Sequence, residues 1–247
     1  MRRPFRILLL AASLLHASLG CAREHVILLH GLGRTQASMA KLQAALTRAG
    51  YVVWNVDYPS RTATIGRLSD DAITPVLAAC HDQSADKIHF VTHSLGGMLV
   101  RSYFSRHAEP HLGRVVMLGP PNQGSEVVDQ LGHWALFQWI NGPAGQELGT
   151  AAGSTPNRLG PPSFPVGIIA GNRSINWINS LLIPGVDDGK VSVENTKLTG
   201  MTDHIVIAAA HPFLMKDQQA IAQTLAFLRH GHFDRPQGVN CHTELSL

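Results

Sequence analysis

The sequence predicts an α/β fold, with a mostly parallel central sheet of about six strands and helices on both faces. Three observations support this prediction. Short apolar runs of strand length recur along the chain, segments with helical spacing separate the earlier runs, and no repeat or long polar linker divides the 247 residues. A chain of this length, with 45% hydrophobic residues, can bury a full core as one domain.

Each predicted strand is an apolar run of buried-strand length, and each predicted helix repeats apolar residues at helical spacing. The runs expected to be strands are 25–29, 52–56, 88–91, 115–118, 166–170 and 205–209. The segments expected to be helices are 37–49, 65–80, 95–107 and 216–230. Gly50 ends the first of these helices and Gly231 ends the last, as glycine often does at a helix C-terminus. Because strands and helices alternate, neighbouring strands are expected to run parallel.

The segment 124–165 interrupts this alternation. It is rich in glycine and proline, yet it contains an apolar cluster that includes Trp134, Phe137 and Trp139. One interpretation is a small cap or lid over a site, in which these three aromatic side chains bind substrate. The other interpretation is an ordinary amphipathic helix packed on the core. The sequence leaves both open.

The first residues, 1–22, have the pattern of a signal peptide. Three arginines precede an apolar run over 7–15, and small residues follow it. His16 interrupts the apolar stretch, which falls short of the roughly 20 residues needed to span a bilayer. We therefore expect an exported protein, periplasmic or secreted, with one folded domain over 23–247. Anchoring as a lipoprotein through Cys21 is the alternative.

Loss of this peptide would change the charge balance. The formal net charge of +3 includes Arg2, Arg3 and Arg6, and without them the basic residues balance the 17 acidic ones. No basic block remains that could follow a phosphate backbone, so the composition argues against nucleic-acid binding. Export would also permit a disulfide bond between Cys80 and Cys241, although their spacing does not decide whether they pair.

The turn after the third predicted strand carries the candidate nucleophile, Ser94. A sharp strand-to-helix turn of the form G-x-S-x-G exposes a serine hydroxyl at the top of a sheet, and small flanking residues avoid clashes there. Here the flanking positions are Thr92 and Gly96, so threonine replaces the first glycine. Because the match is imperfect, the assignment needs suitable partners at other strand ends.

Two backbone amides are candidates for an oxyanion hole. Leu95 directly follows the serine at a predicted helix N-terminus, and Leu32 lies in the glycine-rich turn 30–33 after the first strand. Glycine lets backbone amides approach a bound group, and two such donors can stabilise a developing oxyanion. A plain glycine turn without this role is the alternative.

Position rather than abundance selects the candidate base among the 14 histidines. His211 follows the run 205–209 and precedes Pro212, whose fixed φ suits the first turn of a helix, so His211 is expected at the tip of the last strand. His204 is the competitor, but it lies at the amino-terminal end of that run, where its side chain would point away from Ser94. A structural role for both histidines is the remaining alternative.

The orienting acid is expected in a strand-end loop between the serine and the histidine, the order that this kind of serine turn uses. Asp187-Asp188-Gly189 is such a loop. Asp188 is favoured over Asp187 because the adjacent glycine permits a tight turn that aims the carboxylate. Asp203 is less favoured because it lies at the amino-terminal end of the last strand. Asp-Asp-Gly is also common turn chemistry.

Four motifs resemble those of a known family. VTHSLGG, LLHGLGR, LGPPNQGS and DDGKVSVENTKL, followed by His211, resemble bacterial lipases and esterases of the α/β-hydrolase superfamily, of the small serine-lipase type. The likeness covers residues 26 to 228. It implies an α/β-hydrolase fold with a small cap segment, and Thr92 departs from the glycine that is commoner in that family.

The resemblance implies hydrolysis of carboxylic esters through an acyl-enzyme intermediate, with Ser94 as nucleophile, His211 as base and Asp188 as orienting acid. The amides of Leu32 and Leu95 would form the oxyanion hole. It implies a small-molecule or lipid ester as substrate, and the aromatic cluster adds contact with a lipid surface as an expectation. No cofactor is expected, and no metal site, because the acidic residues occur as adjacent pairs without other ligands at a readable spacing. A thioesterase, amidase or acyltransferase would use the same groups, and a non-catalytic protein that holds an apolar ligand is the alternative from another class.

Overall fold

Six strands form one sheet in the computed structural model, which describes residues 23–175 and 177–235. The strands are β1 (Glu24–Leu29), β2 (Val52–Val56), β3 (Lys87–His93), β4 (Leu112–Leu118), β5 (Val166–Gly171) and β6 (Asp203–Ile207). Their order across the sheet is β2-β1-β3-β4-β5-β6, and every neighbouring pair is parallel. The predicted fold class, with its six-stranded parallel sheet, is confirmed.

Helices cover both faces of the sheet. They are α1 (Ala40–Arg48), α2 (Ile65–Asp82), α3 (Leu95–Phe104), α4 (Glu126–Leu131), α5 (Ala135–Gln146), α6 (Thr155–Arg158), α7 (Trp177–Ser180), α8 (Val193–Thr196) and α9 (Gln218–His230). Helices α2 and α3 share one core with Ile27 and Phe90, whereas α1 and α9 share the other core with Leu28 and Val91. Because successive residues of a strand face opposite sides, both faces of the central strands are apolar.

Two helices start later than predicted, for local reasons. The predicted helix 37–49 begins as a 3-10 turn, Gln36–Met39, which continues into α1. The closing helix begins at Gln218 because the Asp217 carboxylate accepts a hydrogen bond from the Ala220 amide at 2.9 Å and caps the helix.

The last strand is shifted towards the N-terminus relative to its prediction over 205–209. It ends at Ile207 because the chain turns there, where the Ala209 amide donates a hydrogen bond to the Ile207 carbonyl at 2.9 Å. His211 therefore lies beyond the strand rather than at its tip, and it begins a 3-10 turn that includes Pro212.

The segment 124–165 forms the short helices α4 and α6 and the longer α5. Helix α5 consists of two helical pieces that meet at Gly142, where φ is 64°. Among its residues only Ala144 and Gly145 are buried, so most of this helix faces away from the core. Movement of the segment as a lid stays a prediction.

The predicted signal peptide, 1–22, lies outside the described residues, as do Cys21 and Cys241. Export, lipidation and a disulfide bond therefore stay predictions. Cys80 is fully buried on α2, and burial raises the pKa of its thiol to about 12. Within the part of the chain that the structure describes, no helix combines the length and the apolar character needed to cross a membrane.

Five partly or fully buried histidines should make the stability pH-dependent. Burial lowers the pKa of each one below its ordinary value: His25, His30, His89, His93 and His204. The unfolded chain therefore takes up protons at higher pH than the folded chain, so the free energy of unfolding is greatest above about pH 6.5 and decreases below it. We expect the urea midpoint, followed by circular dichroism, to be lower at about pH 5.5 than at about pH 7.5.

Carboxylates act in a separate pH window. The hydrogen bond from Arg106 lowers the pKa of Asp70. A carboxylate with a lowered pKa stabilises the fold above its unfolded pKa and loses this effect only below about pH 4. Both pH values of the test, about 5.5 and about 7.5, lie above this window. An equal urea midpoint at these two values would therefore contradict the role given to the histidines.

Candidate active site

Ser94 lies on a strained turn between β3 and α3. Its φ of 52° and ψ of −118° form a conformation that non-glycine residues rarely adopt. The Ser94 amide donates to the Leu118 carbonyl at 2.9 Å, which joins the turn to the end of β4. Gly96 has no room for a side chain, because a Cβ there would lie 2.6 Å from the Leu29 carbonyl oxygen. Thr92 is fully buried, and β3 still pairs with both neighbouring strands at that residue.

Three of the predicted residues form a chain of hydrogen bonds. Ser94 Oγ lies 3.0 Å from His211 Nε2, and His211 Nδ1 lies 2.7 Å from Asp188 Oδ2. An ionised carboxylate only accepts hydrogen bonds, so Nδ1 donates to Asp188 and Nε2 keeps a lone pair for the serine hydroxyl. The His211 amide also donates to the Asp188 carbonyl at 2.9 Å. In this geometry the imidazole can accept the proton of Ser94.

The Asp188 carboxylate is held by its own loop. Its Oδ1 accepts hydrogen bonds from the amides of Lys190 and Val191, each at 3.0 Å. This leaves Oδ2 for the histidine. The side chain is fully buried, so the loop amides and the imidazole replace the water that an ionised carboxylate would otherwise bind.

The alternative acids and base lie away from the serine. Asp187 accepts a hydrogen bond from the Ser180 hydroxyl at 2.8 Å. His204 Nε2 lies 3.0 Å from the Thr196 hydroxyl, and Asp203 forms an ion pair with an arginine near the C-terminus. Of the candidates considered from the sequence, the structure brings Asp188 and His211 to the serine, and not these three.

His93, which was not predicted from the sequence, packs beside the candidate base. Its Nε2 donates to the His211 carbonyl at 3.0 Å, and the two ring centroids are 4.8 Å apart. Burial lowers the pKa of His93 well below its ordinary value, and the charges of His211 and Arg34 lower it further, so the ring stays neutral. His93 therefore helps to fix the backbone that carries the candidate base.

The turn that carries Leu32 is held by residues that follow β2. The Tyr58 hydroxyl donates to the His30 carbonyl at 2.5 Å, and the two rings stack with centroids 4.1 Å apart. The Ser60 hydroxyl accepts a hydrogen bond from the amide that follows Leu32, at 2.9 Å. Among the described residues, the amides of Leu32 and Leu95 have no hydrogen-bond partner, so both can donate to a bound group.

A cavity of about 410 Å³ contains the serine and its partners, a volume in the range of small-molecule sites. Ser94 and His211 line it, and the predicted substrate-binding residue Phe137 lines it as well. Trp134 and Trp139 are 58% and 82% exposed and do not line it. The structure thus places Phe137 at the site and leaves the two tryptophans at the surface.

Gly119, at the end of β4, lies against the Asp188–His211 pair. Its φ is 55°, and a Cβ there would lie 3.1 Å from both Asp188 Oδ2 and His211 Nδ1. The same Cβ would lie 2.8 Å from a methyl carbon of Leu214. Both the backbone conformation and the close approach require glycine here.

Three solved structures illustrate what this chain is similar to. The mature lipase BlEst2 of Bacillus licheniformis has a TM-score of 0.67 and 19% identity, covering 84% of this chain and 91% of that chain. A metagenome-derived lipolytic enzyme of the pair LipS and LipT has a TM-score of 0.57 and 18% identity, covering 84% and 94%. A thermophilic esterase of Thermogutta terrifontis has a TM-score of 0.54 and 15% identity, covering 85% and 90%.

At these identities the structures establish a shared fold. No curated protein sequence matches this chain. The sequence does match the model of the alpha/beta hydrolase family over residues 26–240, which is most of its length. The resemblance to bacterial lipases and esterases of this superfamily is thereby confirmed, and the chain belongs to the alpha/beta hydrolase family.

Proposed function

We propose that this protein is a serine esterase or lipase that cleaves carboxylic esters through an acyl-enzyme intermediate. The observation that carries the proposal is the chain of hydrogen bonds from Ser94 through His211 to Asp188 at the wall of a cavity. Membership of the alpha/beta hydrolase family makes hydrolysis the reaction class. The ester substrate is supported by the similarity to a lipase and to an esterase.

Acylation begins when Ser94 Oγ attacks the ester carbonyl carbon and His211 Nε2 takes the hydroxyl proton. The new C–O bond places a negative charge on the former carbonyl oxygen, which the amides of Leu32 and Leu95 stabilise. Asp188 keeps the proton on Nδ1 and stabilises the imidazolium. The intermediate then collapses, the bond to the alcohol oxygen breaks, and the alcohol leaves with the proton from Nε2.

Deacylation repeats these steps with water as the nucleophile. His211 takes a proton from water as the water oxygen attacks the acyl carbon, and the same two amides stabilise the second oxyanion. Collapse returns the proton to Ser94 Oγ and releases the carboxylic acid. Each oxyanion donor in enzymes of this chemistry contributes about 100-fold to 1000-fold to kcat, so the restraint of the Leu32 turn by Tyr58 is expected to matter.

The apolar side chains at the start of α5 support a lipid ester as one class of substrate. Phe137 on this helix lines the cavity. Four apolar residues of the same segment are exposed to solvent: Trp134, Leu136, Trp139 and Ile140. Exposed apolar patches of this kind mark surfaces that bind proteins, membranes or apolar ligands. Export of the protein would bring this surface to extracellular or periplasmic lipids, and the N-terminal sequence of the mature protein tests export.

The proposed function is tested with a panel of p-nitrophenyl esters of increasing acyl-chain length. The native protein should hydrolyse at least part of the panel, and Ser94→Ala should reduce kcat by about a million-fold. Unchanged turnover by Ser94→Ala would remove this serine from the mechanism. If the native protein bound the esters without hydrolysing them, the non-catalytic interpretation would replace the enzyme.

Gly119→Ala should lower kcat for the best ester of the panel by at least about tenfold, because small displacements of the reacting groups are costly. The added methyl group would press on Asp188 and His211 at a backbone position with positive φ. Gly160→Ala is the matched control, since Gly160 also has a positive φ, 65°, but faces open space. It should lower thermal stability without changing kcat. Equal kcat values for both variants would contradict the tight contact at Gly119.

A further inference from the structure

Two cationic residues line the cavity that contains Ser94. Arg34 comes two residues after the oxyanion candidate Leu32, and Lys190 comes two residues after Asp188. They therefore reach the same cavity from two separate loops. Within residues 23–175 and 177–235, neither side chain forms an ion pair with a carboxylate, although other cations such as Arg106 do so.

The carboxylate in the cavity already accepts hydrogen bonds at both of its oxygens. Asp188 is the one acidic residue among the described residues that line it, and its two oxygens accept hydrogen bonds from His211 and from two loop amides. The cavity lining therefore carries two cations and one carboxylate, and that carboxylate is bound by the histidine and the loop amides. Low-dielectric walls focus the field of such charges, so the cavity presents a positive potential to an entering ligand.

The two cations lie close enough to influence each other, and Arg34 also influences His93. Both side chains are exposed to solvent at the cavity. Partial burial still lowers the pKa of Lys190, the charge of Asp188 opposes this effect, and the charge of Arg34 lowers the pKa further. Arg34 also contributes to lowering the pKa of His93, which packs beside His211. An anion placed between the two cations would relieve their mutual repulsion.

Another part of the cavity wall is apolar. Val127, Val128, Phe137 and Leu148 line it, and all four come from the segment that follows β4. An apolar wall suits an acyl chain or another hydrocarbon group, whereas the two cations suit a carboxylate or a phosphate. One ligand satisfies both: an ester with an apolar part and an anionic group near the ester bond.

We propose that this site selects esters that carry an anionic group, a carboxylate bound by Arg34 and Lys190. This substrate class rests on the proposed esterase function. The anion binds through charge-assisted hydrogen bonds, for which the planar guanidinium of Arg34 offers two parallel donors and the ammonium of Lys190 a point charge. The scissile carbonyl then lies between Ser94 Oγ and the amides of Leu32 and Leu95.

The test compares three chromogenic esters of short acyl chain. p-Nitrophenyl butyrate is neutral, the butyrate ester of a hydroxynitrobenzoate carries its carboxylate on the alcohol side, and mono-p-nitrophenyl glutarate carries it on the acyl side. The measured quantity is the ratio of kcat/KM for each anionic ester to kcat/KM for the neutral one. We expect a ratio above one for at least one anionic ester, and the better of the two identifies the side on which the anion binds.

Arg34→Gln and Lys190→Gln should each lower that ratio by about fivefold, and the double variant should lower it further. Arg34→Lys and Lys190→Arg keep the charge and should retain most of the preference. Lys41→Gln, on the exposed surface of α1, is the control and should leave the ratio unchanged. Raising the salt concentration from about 0.05 M to about 0.5 M should lower the ratio of the native protein, because salt screens charge.

Selectivity for anionic esters and ester hydrolysis itself give different results in this test. If the native protein hydrolyses the neutral ester and neither anionic ester has a higher kcat/KM, the anionic selectivity is overturned while the esterase stands. The same holds if the double variant keeps the native ratio. If no ester is hydrolysed, the esterase is overturned, and calorimetry with Ser94→Ala then decides the selectivity. The selectivity is supported if an anionic ester binds more tightly than the neutral one and the double variant loses this difference. Equal binding of the two esters overturns the selectivity.

Discussion

Asp188→Asn should lower kcat for ester hydrolysis by about 10,000-fold while the protein remains folded. The loop amides of Lys190 and Val191 donate to Oδ1 and would hold the asparagine carbonyl oxygen there. The asparagine NH2 group would then face His211 Nδ1, where the native Oδ2 accepts a hydrogen bond at 2.7 Å. Two donors cannot share this contact, so the imidazole would carry its proton on Nε2 and could no longer accept one from Ser94.

Asp187→Asn is the matched control for this prediction. The neighbouring carboxylate accepts hydrogen bonds from the Ser180 hydroxyl and the Gly189 amide, and an asparagine oxygen can accept both. Its kcat should stay within about tenfold of the native value. Steady-state kinetics on p-nitrophenyl butyrate and circular dichroism of each variant provide the comparison. An Asp188→Asn protein with more than a tenth of native kcat would contradict the assigned role of Asp188.

Arg101→Met should lower the free energy of unfolding by about 3–5 kcal/mol, the second large effect that we expect. Arg101 on α3 is 4% exposed. Four of its hydrogen bonds join α3 to the turn after β4, to α6 and to the residues that follow α6. Nη1 contacts the carbonyl and side-chain oxygens of Asn122 at 3.0 and 3.2 Å, and Nη2 contacts the carbonyls of Pro156 and Gly160 at 2.9 and 3.0 Å. Methionine fills similar space but leaves the buried acceptors of Asn122 and Pro156 without this donor.

The unfolding temperature of Arg101→Met should therefore fall by on the order of 10 °C. Arg67→Met is the control, because Arg67 lies on α2 and its ion pair with Asp71 is exposed to solvent. Surface pairs contribute at most about 1 kcal/mol, so this variant should change the unfolding temperature little. Thermal unfolding followed by circular dichroism gives both values. Equal losses in the two variants would contradict the role of Arg101 as a buried connector of these segments.

Local patterns predicted the features of the fold and site that local chemistry determines. The six apolar runs predicted the six strands, and the small-residue turn predicted the strand-to-helix junction at Ser94. Asp188 and His211 were selected because the carboxyl ends of parallel strands meet at one edge of a sheet. That argument holds although β6 ends before His211, because the chain turns at Ile207 and carries the histidine back to the sheet edge.

Contacts between distant segments could not be predicted where no motif or strand-end position marks the residues. His93 binds the carbonyl of a residue 118 positions away, and Tyr58 binds the carbonyl of a residue 28 positions away. The hydrogen bonds of Arg101 also could not be predicted, since its acceptors lie in segments that no sequence pattern links to α3. The aromatic cluster was predicted to form one substrate-binding surface. In the structure Phe137 lines the cavity, whereas Trp139, two residues later on the same helix, is exposed to solvent.

The central claim is that Ser94 becomes covalently acylated, and labelling with a p-nitrophenyl alkylphosphonate tests it most directly. Such a reagent transfers its phosphonyl group to an activated serine and releases p-nitrophenolate, leaving an adduct that mimics the tetrahedral intermediate. We expect one phosphonyl group per chain by mass spectrometry, located on Ser94, with loss of esterase activity in proportion to labelling and no label on Ser94→Ala. Inactivation with the label on another residue, or full ester hydrolysis by fully labelled protein, would contradict the claim.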